Sequence, residues 1–369
     1  MRRLERRALV WALLDELIPL YPLYALLFAA TGLGAGAISA LFAIWSLTSV
    51  LAEVPSGALA DRFPRRLVIA VGELIRAAGY LLWTVAAGFG GFALGFVLWG
   101  VGGACTSGAT EALLFDELNG HGAAPYLATL LGRIRAVGLL TQVPVAGVAT
   151  VLFALGGFQL AGYVSVALAV LSAVAAARLP ETVRITGGGE PYWETMRAGL
   201  RTLRHPAMRR MVLAVAAVAG IDAIEEYFTL LAASWGISAA AVPVAVLIVP
   251  IGGAVGAALS GHRRRDGWGL LALAAGALAV AGWLDRPGGL LAVAVFYGLY
   301  RLVLVRLEVH LQERITGDAR ATVTSVAALA TEGMCLLLYA CWATGGVLAV
   351  AALVATVAGA GALGVRTAD

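Results

Sequence analysis

The 369-residue chain is 61% hydrophobic and 13% charged, carries a net charge of +4 and has a mean hydropathy of +0.89. Soluble domains are about half apolar and about a quarter charged, so this is the composition of a membrane protein; it excludes a globular enzyme with an aqueous cleft, a nucleic-acid reader and a disulfide-stapled secreted protein. All 26 basic residues are arginine, and most sit in short runs between apolar stretches, where they set topology rather than bind a polyanion.

A helical crossing needs about 20 apolar residues. Apolar runs broken by glycine, proline or arginine clusters predict helices over 8–30, 36–60, 67–88, 91–118, 126–154 and 157–178, then over 208–235, 238–260, 268–284, 288–313, 319–343 and 345–365. The basic N-terminus from Met1 to Arg7 precedes an apolar stretch that is too long for a signal peptide and has no cleavage site, so it reads as a retained first span. The fold expected is an all-α membrane protein of twelve transmembrane helices in two pseudo-symmetric six-helix bundles, residues 1–178 and 208–369. A cytoplasmic linker, 179–207, joins them. In it Trp193, Met196, Leu200 and Leu203 recur at helical spacing among Arg197, Arg201 and Arg204, the pattern of a helix lying on the inner membrane surface with its arginines near lipid phosphates. The 46 glycines point to close helix packing. Cys105, Cys335 and Cys341 form no C-x-x-C pair, and His310 with Glu313 falls short of a ligand set, so no metal or other cofactor is expected.

Arginine placement gives the orientation. With both termini cytoplasmic, twenty arginines fall on inner segments and one, Arg286, on an outer one, which places the chain as a multi-pass protein of the cell (inner) membrane. The halves also echo each other. The turn Gly57-Ala58-Leu59-Ala60-Asp61-Arg62-Phe63-Pro64-Arg65-Arg66 follows the second helix, and Gly256-Ala257-Ala258-Leu259-Ser260-Gly261-His262-Arg263-Arg264-Arg265 follows the eighth. Paired signals of this kind mark a duplicated transporter with its substrate site near the midplane.

The segment Gly57 to Arg66 resembles the G-x-L-A-D-R-x-G-R-R loop of the major facilitator superfamily, with Pro64 in place of the usual glycine. That resemblance implies a carrier working by alternating access, with helices one, four, seven and ten lining the cavity. It also implies an inner gate built from Gly57, Asp61, Arg62, Arg65 and Arg66, to which Glu53 adds a nearby acid. The stretch Gly138 to Gly147 is similar to the G-x-x-x-G-P-x-x-G-G run of the family's antiporters, although only Pro144 and Gly147 match in register. The fourth helix, Ser107 to Asp116, lacks the arginine the family customarily carries there.

Ionisable groups inside spans are costly and mark function. The candidates for binding substrate or protons are Asp15 and Glu16, close to Tyr21 and Tyr24, then Glu111, Asp222, Glu225 and Glu226, Arg301, and Glu332. Asp222 and Glu225 stand i, i+3 on one face, with Arg301 as the compensating charge. Glu73 and Arg76, also i, i+3, are expected to neutralise each other, and Arg133 or Arg135 to pair with Glu111 or Asp116. Most tryptophans fall near span ends as an interfacial belt; Trp45 and Trp99 do not, and are candidates for stacking on a substrate. Acids outnumber bases on the cavity helices, which suggests a cationic or amphiphilic solute and proton-coupled export. The alternatives are a proton-coupled importer of a small polar metabolite and a non-transporting receptor or scramblase. The chain is expected to be no enzyme, to bind no nucleic acid, and to work as a monomer with solute, protons and membrane lipids as its partners.

Overall fold

A computed structural model of the chain describes residues 2–181, 206–261, 267–314 and 320–366. The surface helix expected around Trp193 and the turn Arg263-Arg264-Arg265 lie outside the described residues. Two compact units are formed, Met1–Thr186 with Ser238–Val244, and Gly187–Ile237 with Ala245–Asp369.

The first unit runs α1 (Arg2–Glu16), α2 (Tyr24–Ala30), α3 (Ala35–Arg62), α4 (Arg65–Val85), α5 (Phe89–Gly120) and α6 (Leu127–Ala177). Within α6, Gly156 and Gly157 leave helical geometry, Gly157 with φ of 63°, so the segment is two helices meeting at the expected break. The second unit carries α7 (Pro206–Ala219), a 3₁₀ segment (Gly220–Tyr227) and α8 (Phe228–Ser234). After α9 (Val242–Ala245) come α10 (Ile248–Ala258), α11 (Gly267–Leu284), α12 (Gly289–Arg314) and α13 (Arg320–Arg366), the last broken at Gly346 with φ of 58°. Eight helices among the described residues are long and apolar enough to cross a membrane, two of them being these glycine-broken segments.

Three expected helices are not continuous. The span predicted over 8–30 opens between α1 and α2, where Pro19 and Pro22 withhold N–H donors and clash with the preceding turn. The opened backbone is satisfied locally: Tyr24 N–H bonds the Leu20 carbonyl at 2.8 Å, and the buried Ser165 hydroxyl of α6 accepts the Leu20 N–H at 2.9 Å. The span predicted over 208–235 narrows to 3₁₀ geometry at Gly220–Tyr227. There the Tyr300 hydroxyl donates to the Ala219 carbonyl at 3.3 Å and the Cys335 thiol donates to that of Gly220 at 3.7 Å. The span over 238–260 is divided into α9, α10 and a short 3₁₀ end; Pro250, in the first turn of α10, prevents one helix from running on out of α9.

Within each unit glycine brings backbones together. A Cβ on Gly72 would lie 2.8 Å from the Gly102 carbonyl oxygen, and one on Gly256 would overlap the carbonyl of Gly298. These small residues let α4 approach α5, and α10 approach α12, as closely as membrane helix packing requires. Leu51, Leu139, Leu140 and Leu155 point outward, which suits a hydrocarbon solvent as apolar as leucine itself.

Candidate functional site

In the first unit the proline break places Asp15 on the last turn of α1 and Tyr21 in the opened stretch, while Glu73, Arg76 and Tyr80 share one face of α4. The Arg76 guanidinium is the hub. It forms an ion pair with Asp15 and lies 3.4 Å from Glu73. It also donates to the Tyr21 hydroxyl. Tyr80 donates to Tyr21 at 2.9 Å, Trp99 donates its indole N–H to Tyr80 at 2.9 Å, and Trp11 donates to Glu73 at 3.2 Å. The pairing of Glu73 with Arg76 alone is therefore corrected: Arg76 serves two acids, and a helix break brings the second one to it. Trp99 stacks on Trp45 with centroids 4.8 Å apart. Tyr24 stays apart from these charges and packs among Phe28, Phe42, Trp83 and Phe96. Glu16 lies against α6, where a Cβ on Gly138 would come within 3.2 Å of its carboxylate.

At the start of α4 the arginine-rich turn divides. Arg65 is buried, forms an ion pair with Asp116 of α5 and donates to the Ala112 carbonyl at 2.8 Å. Glu53, Gly57, Asp61, Arg62 and Arg66 are exposed. Glu181 caps α4, accepting the N–H groups of Arg65 at 2.8 Å and Arg66 at 3.2 Å; a carboxylate here also meets the positive end of the helix dipole. Sequence reasoning passed over Glu181, although the turn's missing donor partner at Pro64 announced a helix start in need of a cap. The expected pairing of Arg133 with Glu111 or Asp116 is overturned: Arg133 pairs with Glu5 and donates to the Tyr126 hydroxyl at 2.8 Å, because the start of α6 runs beside α1. Glu111 is exposed on α5.

In the second unit Asp222, on the 3₁₀ segment, lies 3.5 Å from Arg301 of α12. Tyr297 donates to Asp222 at 2.8 Å and is 3.3 Å from Glu225, so one phenol joins both acids. Gly253 makes this possible, since a Cβ there would come within 2.7 Å of the Tyr297 ring. The Arg301 and Asp222 side chains remain 34% and 41% exposed. Glu226, on the same segment, is half-buried, and Glu332 lies on α13.

The sequence profile of the Major Facilitator Superfamily matches residues 9–337, and the chain belongs to that family. It is an integral, multi-pass membrane transporter of this type and not an enzyme. Its fold is similar to that of the nucleoside transporter NupG, with a TM-score of 0.73 at 13% identity over 98% of this chain and 96% of NupG. A bacterial homologue of the human lysosomal transporter Spinster, in an inward-facing and occupied conformation, has a TM-score of 0.75 at 14% identity, over 99% of this chain and 97% of that one. No curated protein matches the sequence.

Proposed function

We propose that this protein is a twelve-crossing secondary carrier with both termini cytoplasmic, which exports a small cationic or amphiphilic solute in exchange for protons. The observation that carries this reading is the cluster of Asp222, Glu225, Tyr297 and Arg301: an acid paired with an arginine and joined through one phenol to a second acid, partly open, on spans of a membrane protein. Charge is tolerated at such depth where it is compensated or reaches water. A cationic group on the solute competes with Arg301 for the acids, and a proton on either acid releases it. The twelve crossings are supported by the eight spanning-length helices, two of them double at Gly156-Gly157 and Gly346, together with the interrupted segments around α1–α2 and α7–α8. Interrupted helices with polar groups at the break are the usual furniture of carriers, which disfavours a passive receptor or scramblase. The gate reading rests on Arg65, which ties the start of α4 to α5 through Asp116, with Asp61, Arg62 and Arg66 exposed around it.

Purified carrier in liposomes tests this. An inward-directed proton gradient should drive organic cation efflux, and collapse of the gradient should stop it; efflux indifferent to the gradient would reject proton coupling. A second reading is favoured by the half-buried Trp45–Trp99 stack beside the neutral donors Tyr21 and Tyr80, groups suited to a planar polar solute such as the nucleosides carried by NupG. Thermal stabilisation by nucleosides and not by organic cations would select that importer.

A further inference from the structure

The acids of the second unit do not account for Glu73. This carboxylate is 1% exposed in a membrane-spanning helix, and it shares one guanidinium nitrogen, Nη1 of Arg76, with Asp15. We propose that Glu73 and Asp15 hold one exchangeable proton between them, making the first unit a proton-binding site separate from the solute-facing acids of the second.

Charge and geometry carry the argument. Two carboxylates on one guanidinium nitrogen share a proton or repel, and the buried Glu73 with the partly buried Asp15 on a single guanidinium leaves one negative charge over. Among the described residues of the first unit, the neighbours supply no further cation. On α1 the neighbours are Trp11 and Glu16; in the break, Tyr21; on α4 itself, Arg76 and Tyr80. From α5 comes Cys105, packed near Gly72, while that helix's Asp116 is occupied by Arg65 and its Glu111 is exposed. Of the ionisable groups on α6, Arg133 is held by Glu5 and Tyr126, and Arg135 and Tyr163 are exposed. From α3, Glu53, Asp61 and Arg62 are exposed. One proton therefore completes the site.

The guanidinium is also equipped for the proton's departure. Arg76 is buried, yet its Nε has no partner among the described residues, so a donor stands in reserve for the second carboxylate. When the proton leaves to water, Asp15 and Glu73 repel, and Arg76 must divide itself between them and relax its hold on Tyr21. The break in the first span and the Tyr21–Tyr80–Trp99 chain then move together. Proton occupancy is in this way connected to the helix interruption rather than to a rigid packing contact.

Infrared difference spectra of the full-length carrier in detergent, recorded across a pH titration without solute, test the assignment. The carbonyl stretch of a protonated carboxyl group should appear on acidification, vanish in Glu73→Gln, shift in Asp15→Asn and persist in Asp222→Asn. Persistence of the same band in Glu73→Gln, or its absence from the wild type, would overturn the proposal. Should Glu73→Gln fail to fold, tryptophan emission supplies the second test, because Trp11 donates directly to Glu73. The pH-dependent part of the emission should be lost in Trp11→Phe; an unchanged titration in that variant would overturn the proposal as well. Neither measurement involves a solute, so failure of the transport reading is a separate result.

Discussion

The two units build the same device and tune it in opposite directions. Each interrupts its first long helical segment, sets an acid at the interruption, and meets it with an arginine and a tyrosine i, i+4 on one helix, Arg76 with Tyr80 in one case and Tyr297 with Arg301 in the other. In the first unit the arginine and aspartate are 9% and 21% exposed, and in the second 34% and 41%. Burial decides what the same charges can do. A closed pair resists separation and suits an internal switch, whereas an open pair can trade partners with a solute at little cost.

The contrast is broken most severely at the arginines. Arg76→Gln leaves buried acids uncompensated and should cost about 3–5 kcal/mol, seen as a sharp loss of folded protein and a lower thermal transition in detergent. Arg301→Gln, at a half-open site, should cost no more than about 1 kcal/mol by the same measurement while tightening the binding of an organic cation. Equal losses in the two variants would erase the distinction. The glycine contacts come next: Gly256→Ala should destabilise by about 1–3 kcal/mol and Gly72→Ala by less, because the added methyl would lie 1.9 Å from a backbone oxygen in the first case and 2.8 Å in the second. Thermal unfolding of the pair checks the order.

Binding measurements sharpen the open site. Tyr297→Phe removes a hydrogen bond to a charged acid, an interaction worth about 1.5–3 kcal/mol, and should change solute affinity by about tenfold or more, with a smaller effect on stability. Asp222→Asn should flatten the pH dependence of solute binding, since the acid that exchanges proton for cation is gone; an unaltered pH profile would move the exchange elsewhere. The smallest structural effect belongs to Asp61→Asn. Its position is exposed, so stability should stay within about 0.5 kcal/mol while transport slows. Asp116→Asn, which strands the buried Arg65, should instead lower stability.

Much of the architecture is written locally. Spanning segments follow from runs of apolar residues, and the bends at Gly157 and Gly346 fall at the expected boundaries because only glycine adopts their positive φ cheaply. The opening between α1 and α2 was missed, since one helix was expected over 8–30: the signal lay in Pro19 and Pro22, and the hydropathy of the surrounding residues hides a break that costs no apolar character. Pairings were less accessible. Glu73 and Arg76 are neighbours on one helix and invite each other, and nothing near them announces Asp15, 61 residues away. Glu181 reaches Arg65 across 116 residues for the same reason.

Hydropathy, proline and glycine placement, and the loop from Gly57 to Arg66 thus suffice to establish a multi-helix carrier of the Major Facilitator type, because each acts over a few residues and against a uniform solvent. The identity of each arginine's partner, the burial of Arg76 against the openness of Arg301, and the capping role of Glu181 belong to tertiary structure. A charge inside a membrane takes whatever counter-charge packing brings within a few ångströms, and that choice is made by helices distant in the chain.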